Sequence, residues 1–232
     1  MNLRAQALEA LSSVYDPELD EPITTLGFVG SCVASDAGDL DVRLRLPTPQ
    51  CAPNFAFLMA ADARDALTRL PEVGDVRVAL EDHYTGAEIN AALCNGGTFA
   101  DAFPGEVTGA LDDLRTLFQR KALLARQGRV CDALLVAGLE AADVVALRVA
   151  DLPAGADAER CVVLRAELGL PHDPDAPALV SGDGAPIAEG DLTMWLRRAR
   201  LVALSLETNG GLCRSLLQVR HGVPDPTQEV AA

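Results

Sequence analysis

The chain has 232 residues, enough for two small domains, and with 49% apolar but only 4% aromatic residues its core must be built from Leu, Val and Ala. The formal charge of −15 would repel a nucleic-acid backbone and an anionic membrane surface, so neither is an expected partner. The first 104 residues carry net −10 and the remainder −5, so an acidic docking surface is expected in the first half.

Residues 3–14 space Leu3, Ala7, Leu8, Leu11 and Val14 as one face of a helix, which Asp16-Pro17 stops. Thr25–Val33 is β-rich, Asp36–Asp39 is turn chemistry, and Asp41–Leu46 alternates polar and apolar residues, predicting an antiparallel hairpin with one wet face. Asn54–Leu70 returns to helical spacing and Asp75–Leu80 to alternation. The expected fold class is α+β. It comprises a small two-layer domain over 1–94 in the order helix, strand, strand, helix, strand, then a Gly/Pro-rich linker over 95–105 and a mainly helical domain over 106–223. In that second domain Leu111–Leu124, Val130–Leu139 and Asp143–Leu147 read as helices and Cys161–Arg165 as a short strand. Leu192–Leu206 reads as a helix or helix–strand passage, and 224–232 as a flexible tail.

No apolar run approaches the roughly 20 residues of a membrane span, and the N-terminus runs straight into an amphipathic pattern, so the protein is expected to be cytoplasmic. The six cysteines (32, 51, 94, 131, 161 and 213) show no CxxC pair or metal-type spacing. Cys51 stands out, because Thr48-Pro49-Gln50-Cys51-Ala52-Pro53 opens the second helix. A thiol at a helix N-terminus lies near free amide N–H groups, which favour the thiolate that binds soft metals. Thr48 offers a hydroxyl to cap that helix or hold a ligand, while Asp16 and Glu18 offer paired carboxylates. His83 and Glu88 could add a nitrogen and an oxygen ligand. Their structural readings are a loop histidine and, with Thr85, a capping box. Cys213, in Asn-Gly-Gly-Leu-Cys-Arg, is either a second ligand or a buried thiol.

The ordered set Asp16-Pro17-Glu18-Leu19, Pro22-Ile23 to Leu26-Gly27, and Thr48-x-x-Cys51-x-Pro53 resembles the signature of the MIP18-like family (domain of unknown function 59), over residues 5–82. Where many members carry Trp-Pro after the last strand, this chain reads Asp82-His83-Tyr84-Thr85. The resemblance implies an accessory factor that assembles or delivers iron or an iron–sulfur cluster, bound transiently, with Cys51, Thr48, Asp16 and Glu18 as its site. Beyond residue 82, His83–Asn90, Phe99–Glu106, Leu114–Leu123 and Asn209–Arg214 resemble longer members associated with bacterial soluble di-iron monooxygenases of the propane type. That implies a client metalloenzyme, either the di-iron hydroxylase or its iron–sulfur reductase. The alternatives are a protein-binding chaperone or scaffold without metal chemistry, and a thiol-dependent enzyme using Cys51, for which no histidine is clearly placed as base. A homodimer is left open. No GxxxxGK[ST] loop and no Gly-x-Ser-x-Gly elbow occurs, so no nucleotide hydrolysis or hydrolase chemistry is expected of the chain itself.

Overall fold

The computed structural model describes residues 2–105 and 110–223, Ala110 by its backbone alone. Glu106 and the expected tail, 224–232, lie outside the described residues. The chain divides into two units, residues 1–113 with 209–232 and residues 114–208, where the sequence reading drew its boundary at 95–105. None of the described helices is long and apolar enough to cross a membrane.

The first unit begins with α1 (Leu3–Leu11), whose N-terminus is closed by Asn2 Oδ1 accepting from the Ala5 amide at 2.9 Å. It ends three residues sooner than the apolar spacing predicts. The Ser12 and Ser13 hydroxyls bond back to the Glu9 and Ala10 carbonyls, and Val14 continues inward from a turn. Two short strands follow, β1 (Tyr15–Asp16) and β2 (Glu21–Pro22), paired antiparallel.

The main sheet has the order β3 (Val29–Ala34), β4 (Leu40–Arg45), β5 (Val76–Glu81). The β3–β4 pair is antiparallel, as the alternation predicts, and β5 runs parallel to β4. A parallel return needs a long crossover, which α2 (Pro53–Thr68) supplies. Leu40, Val42 and Leu44 point to the core from the central strand, while Asp41, Arg43 and Arg45 occupy its other face, where Arg43 pairs with Asp41 at 2.7 Å. Against the apolar face pack Ala7 and Leu11 of α1 and Ala56, Ala60, Ala63 and Leu67 of α2. After β5 come α3 (Gly86–Cys94) and α4 (Phe99–Ala102). The stretch read as a linker therefore carries a helix whose Ala102 is buried in this core, with Phe99 edge-on to Phe57.

The second unit is helical. It holds α5 (Ala110–Val136) from Leu114 on, α6 (Ala141–Ala146), a 3₁₀ turn at Val149–Asp151, α7 (Ala156–Glu167) and α8 (Glu189–His221) as far as Thr208. Two expectations are corrected here and one alternative is resolved. The two helices read over 111–124 and 130–139 are one, because Gly128 does not break it. Its missing side chain is where Ala199 packs, and a Cβ there would lie 2.6 Å from the Ala199 Cβ. Cys161–Arg165, read as a strand from its β-branched valines, lies inside α7, where Cys161 and Leu164 face the core. The helix or helix–strand passage at 192–206 is a single helix running on to His221, through Asn209-Gly210-Gly211.

Buried Arg165 organises the loop after α7. It donates to the carbonyls of Pro171 (3.3 Å), Pro177 (2.7 Å) and Ala178 and to Gln127 Oε1 (2.8 Å), while Gln127 binds both backbone groups of Val180.

Candidate functional site

β4 delivers the chain to the candidate site. After Arg45 come Leu46 and Pro47, both buried, and then the turn Thr48–Cys51, closed by the Cys51 amide donating to the Thr48 carbonyl at 3.4 Å. Cys51 thus stands just before the Ala52 N-cap of α2 rather than within its first turn, and Pro53 takes the first helical position, where a missing N–H costs nothing. The half-buried thiol lies 3.6 Å from Thr48 Oγ1, within hydrogen-bond reach for sulfur. Thr48 therefore addresses the thiol, and of its two expected roles the capping one is not taken up, since the helix N-terminus has no side-chain cap.

His83, on the loop after β5, reaches this turn through the backbone. Its Nδ1 faces the Thr85 amide at 3.3 Å and hydroxyl at 3.1 Å. The amide can only donate, so the proton sits on Nε2, which donates to the Cys51 carbonyl at 2.8 Å. Tyr84 adds a second tie, its amide donating to the Pro49 carbonyl at 3.0 Å. His83 is thus engaged at both ring nitrogens and fixes the turn. The Thr85–Glu88 capping box does not form, because the Thr85 hydroxyl is used on His83. Beside this corner is an open hollow of about 340 Å³ lined by residues that include Pro49, Asp82, His83, Tyr84 and Asn90.

Asp16 approaches from β1. Its Oδ1 accepts from the Glu18 amide at 2.8 Å and the Leu19 amide at 2.9 Å, tying off the turn that ends the β1 strand. Burial raises its carboxyl to about 6, against the lowering effect of those two amides, with Glu18 and Glu21 adding repulsion.

Cys213, on α8, is the residue the sequence placed least securely. Burial, and after it the negative charges of Asp16, Cys51 and Glu18, push its thiol up to about 12. The next residue, Arg214, ties this stretch of α8 to Glu21, which pairs with Asp16 across β1 and β2. Cys51 and Thr48 are thus brought together, with His83 supporting from the far side of the turn, while Asp16 and Glu18 share the turn that follows β1. Among the described residues, no three His, Cys, Asp or Glu side chains converge as a set able to hold a metal ion. The remaining cysteines are elsewhere: Cys32 in β3, Cys131 and Cys161 in the cores of the second unit, and Cys94 exposed at the end of α3.

What sequence reasoning missed is the pair of basic residues that hold α8 here. Arg214 Nη1 donates to both carboxylate oxygens of Glu21, at 3.0 and 2.8 Å. Arg220 donates to the carbonyls of Leu46 (3.3 Å) and Pro47 (3.1 Å) and to the Asp82 carboxylate. The available signal was periodicity: Cys213, Arg214, Leu217 and Arg220 share one helix face.

Comparison with known proteins identifies the family of the first unit. Residues 4–80 match the family model described as iron–sulfur cluster assembly protein. An uncharacterized protein of Methanocaldococcus jannaschii, MJ1129, is 30% identical over 93 residues, which are 40% of this chain and 96% of that protein. A crystal structure of a domain of unknown function 59 from Bacillus anthracis is 25% identical and covers 34% of this chain and 74% of that one, with a TM-score of 0.32. Every residue of the Cys51 turn, with Asp16 and Glu18, falls inside the matched segment, and the chain belongs through it to the iron–sulfur cluster assembly protein family.

Proposed function

We propose that the protein is an assembly factor that takes up iron or an iron–sulfur cluster as cargo at Cys51 and passes it to a client metalloenzyme. The observation that carries this is the Cys51 turn. A half-buried thiol faces a hydroxyl at 3.6 Å on a loop whose backbone is tied by His83 and Tyr84, within the segment that matches the assembly family. Thiolate sulfur is the natural donor to iron and to its clusters, and the Thr48 hydroxyl can donate to a thiolate once formed. Because no larger ligand set is built around it among the described residues, the site suits cargo that leaves again rather than a resident centre. Asp16 and Glu18 keep the surroundings negative, which favours a cation over an anionic electrophile.

The client is read as a di-iron hydroxylase or its iron–sulfur reductase, on the resemblance of the segments beyond residue 82. The second unit offers it a surface, for on α8 Met194 and Leu201 lie two turns apart with their side chains in solvent, and Leu204 is exposed beside them.

Anaerobic reconstitution with ferrous iron and sulfide tests the reading. Wild type is expected to retain iron and sulfide after desalting, and Cys51→Ser to lose most of both. Equal retention by the two proteins would remove Cys51 as the cargo ligand.

A further inference from the structure

Within the second unit the buried side of α8 is made by Leu192, Leu196, Ala199 and Ala203, spaced three and four residues apart. The opposite side of such a helix is ordinarily a mixed charged surface. Here Met194, Leu201 and Leu204 stand on it 67%, 70% and 60% exposed. Between them are Arg197 and Arg198, both exposed, with Arg197 Nη1 4.0 Å from the Met194 sulfur. At the helical repeat these five positions fall within a stripe about 120° wide. The stripe is free of acid, for residues 192–206 hold no Asp or Glu in a chain that has 34 of them. Elsewhere in this unit arginines meet carboxylates. Arg126 and Arg129 share Asp157, and Arg200, beside the stripe on the same helix, pairs with Asp132. Neither Arg197 nor Arg198 has a carboxylate partner among the described residues.

We propose that this stripe of α8 is the docking face for an amphipathic helix of a partner protein, one whose apolar seam is flanked by Asp or Glu. This rests on the reading of a protein client and not on that of Cys51 as the cargo thiol. Apolar side chains at i, i+7 and i+10 form the seam along which a second helix lies. Met194, unbranched and polarizable, refits to what it meets. The arginines select the partner. They lie midway along the stripe, so a second copy of this chain laid on it would bring Arg197 and Arg198 close to their own equivalents, and like charges placed together oppose pairing. A partner's carboxylates meet two guanidinium groups not yet neutralised, each a planar fork of donors. An anionic membrane would meet the same arginines, but three apolar side chains give it little to bury and the chain's net charge of −15 opposes its approach.

The test titrates the full-length protein into fluorescein-labelled helical peptides of about 21 residues and reads fluorescence anisotropy. One peptide carries Leu at the seam positions of each heptad with Glu flanking them, and the other is the same with Lys for Glu. Wild type is expected to bind the Glu peptide at least roughly tenfold more tightly than the Lys peptide, a preference that shrinks as sodium chloride is raised. The double variant Arg197→Glu, Arg198→Glu is expected to reverse the preference, which a merely unfolded chain would not do. Leu201→Ala, with its fold confirmed by circular dichroism, is expected to bind the Glu peptide roughly tenfold more weakly. No binding of the Glu peptide by wild type, equal binding of the two peptides, or a preference unchanged in the double variant overturns the proposal. Concentration-dependent dimerisation that Leu201→Ala abolishes, read by analytical ultracentrifugation, gives the face to a second copy and overturns it. Sedimentation with phosphatidylglycerol vesicles that Leu201→Ala abolishes gives it to a membrane and does the same. The cargo reading is scored separately by iron retention in Cys51→Ser, so failure here leaves it standing.

Discussion

The His83 ring and the Cys51 backbone are joined by a 2.8 Å hydrogen bond in which Nε2 donates to the carbonyl, while Nδ1 is held by Thr85. His83 is therefore expected to position the thiol's turn rather than to act as a ligand. His83→Ala is expected to leave the iron retained after anaerobic reconstitution and desalting unchanged. It should speed alkylation of Cys51 by iodoacetamide several-fold, on the order of the 1 kcal/mol a lost hydrogen bond is worth. Loss of the retained iron would instead make His83 a ligand.

Arg220 connects α8 to the strand exit through two carbonyls and one carboxylate. Arg220→Ala is expected to destabilise the first unit by about 1–3 kcal/mol in urea unfolding, since two partly buried carbonyls lose their donor. Amide exchange should rise together in Leu46–Cys51 and in residues 213–221. Arg220→Lys is expected to rescue this only in part, because an ammonium lacks the planar fork that serves several acceptors at once. Exchange rising in the helix alone would show that the arginine does not hold the turn.

Asp16 gives the pH dependence. Its carboxyl is raised by burial from 3.8 to about 6 in the folded protein. Below about pH 4 it is protonated both folded and unfolded, and its contribution to stability is fully present. As pH rises toward 6 the unfolded chain ionises first and that contribution is lost. The loss is about 2–3 kcal/mol, since each tenfold change in an ionisation constant between the folded and unfolded chain corresponds to about 1.4 kcal/mol. Asp16→Asn keeps an oxygen for the Glu18 and Leu19 amides but cannot ionise. The difference in unfolding free energy between wild type and this variant is expected to change across pH 4–6 and to be flat on either side. A flat difference throughout would place the Asp16 carboxyl in solvent.

In the second unit Gly128 and Ala199 set how closely α5 and α8 approach. Alanine in a helix is ordinarily favoured over glycine by about 1 kcal/mol. Here the added methyl would sit 2.6 Å from the Ala199 Cβ, and overpacking of that kind costs roughly 1–3 kcal/mol. Gly128→Ala is therefore expected to destabilise, and Ala199→Gly in the same chain to recover much of the loss, as followed by thermal unfolding. A stabilised Gly128→Ala would show that the helices separate freely.

The first unit was largely legible in the sequence because its signals are local: alternation in β4 and β5, helical spacing in α2, and turn chemistry at Asp36–Asp39. The residues of the Cys51 turn, with Asp16 and Glu18, were singled out by the family resemblance that their order carries, since spacing alone does not separate a working cysteine from a structural one. The misreadings share a cause, in that a local preference was overridden by a distant partner. Val162 and Val163 favour a strand but lie in a helix whose Arg165 is fixed by carbonyls of the following loop. The helix read as ending at Leu206 runs on through Asn209-Gly210-Gly211, where Gly210 lies close to Glu21, nearly two hundred residues earlier. The arginine anchors of α8 depend on such pairings, which no window of sequence displays.

The most direct measurement of the central claim is transfer. Protein loaded anaerobically with iron and sulfide is desalted and mixed with an apo-ferredoxin, and the acceptor's visible circular dichroism is followed in time. The account predicts that wild type fills the acceptor faster than equal free iron and sulfide do, and that Cys51→Ser protein put through the same loading gains nothing over the free ions. Equal filling by wild type and Cys51→Ser would contradict it.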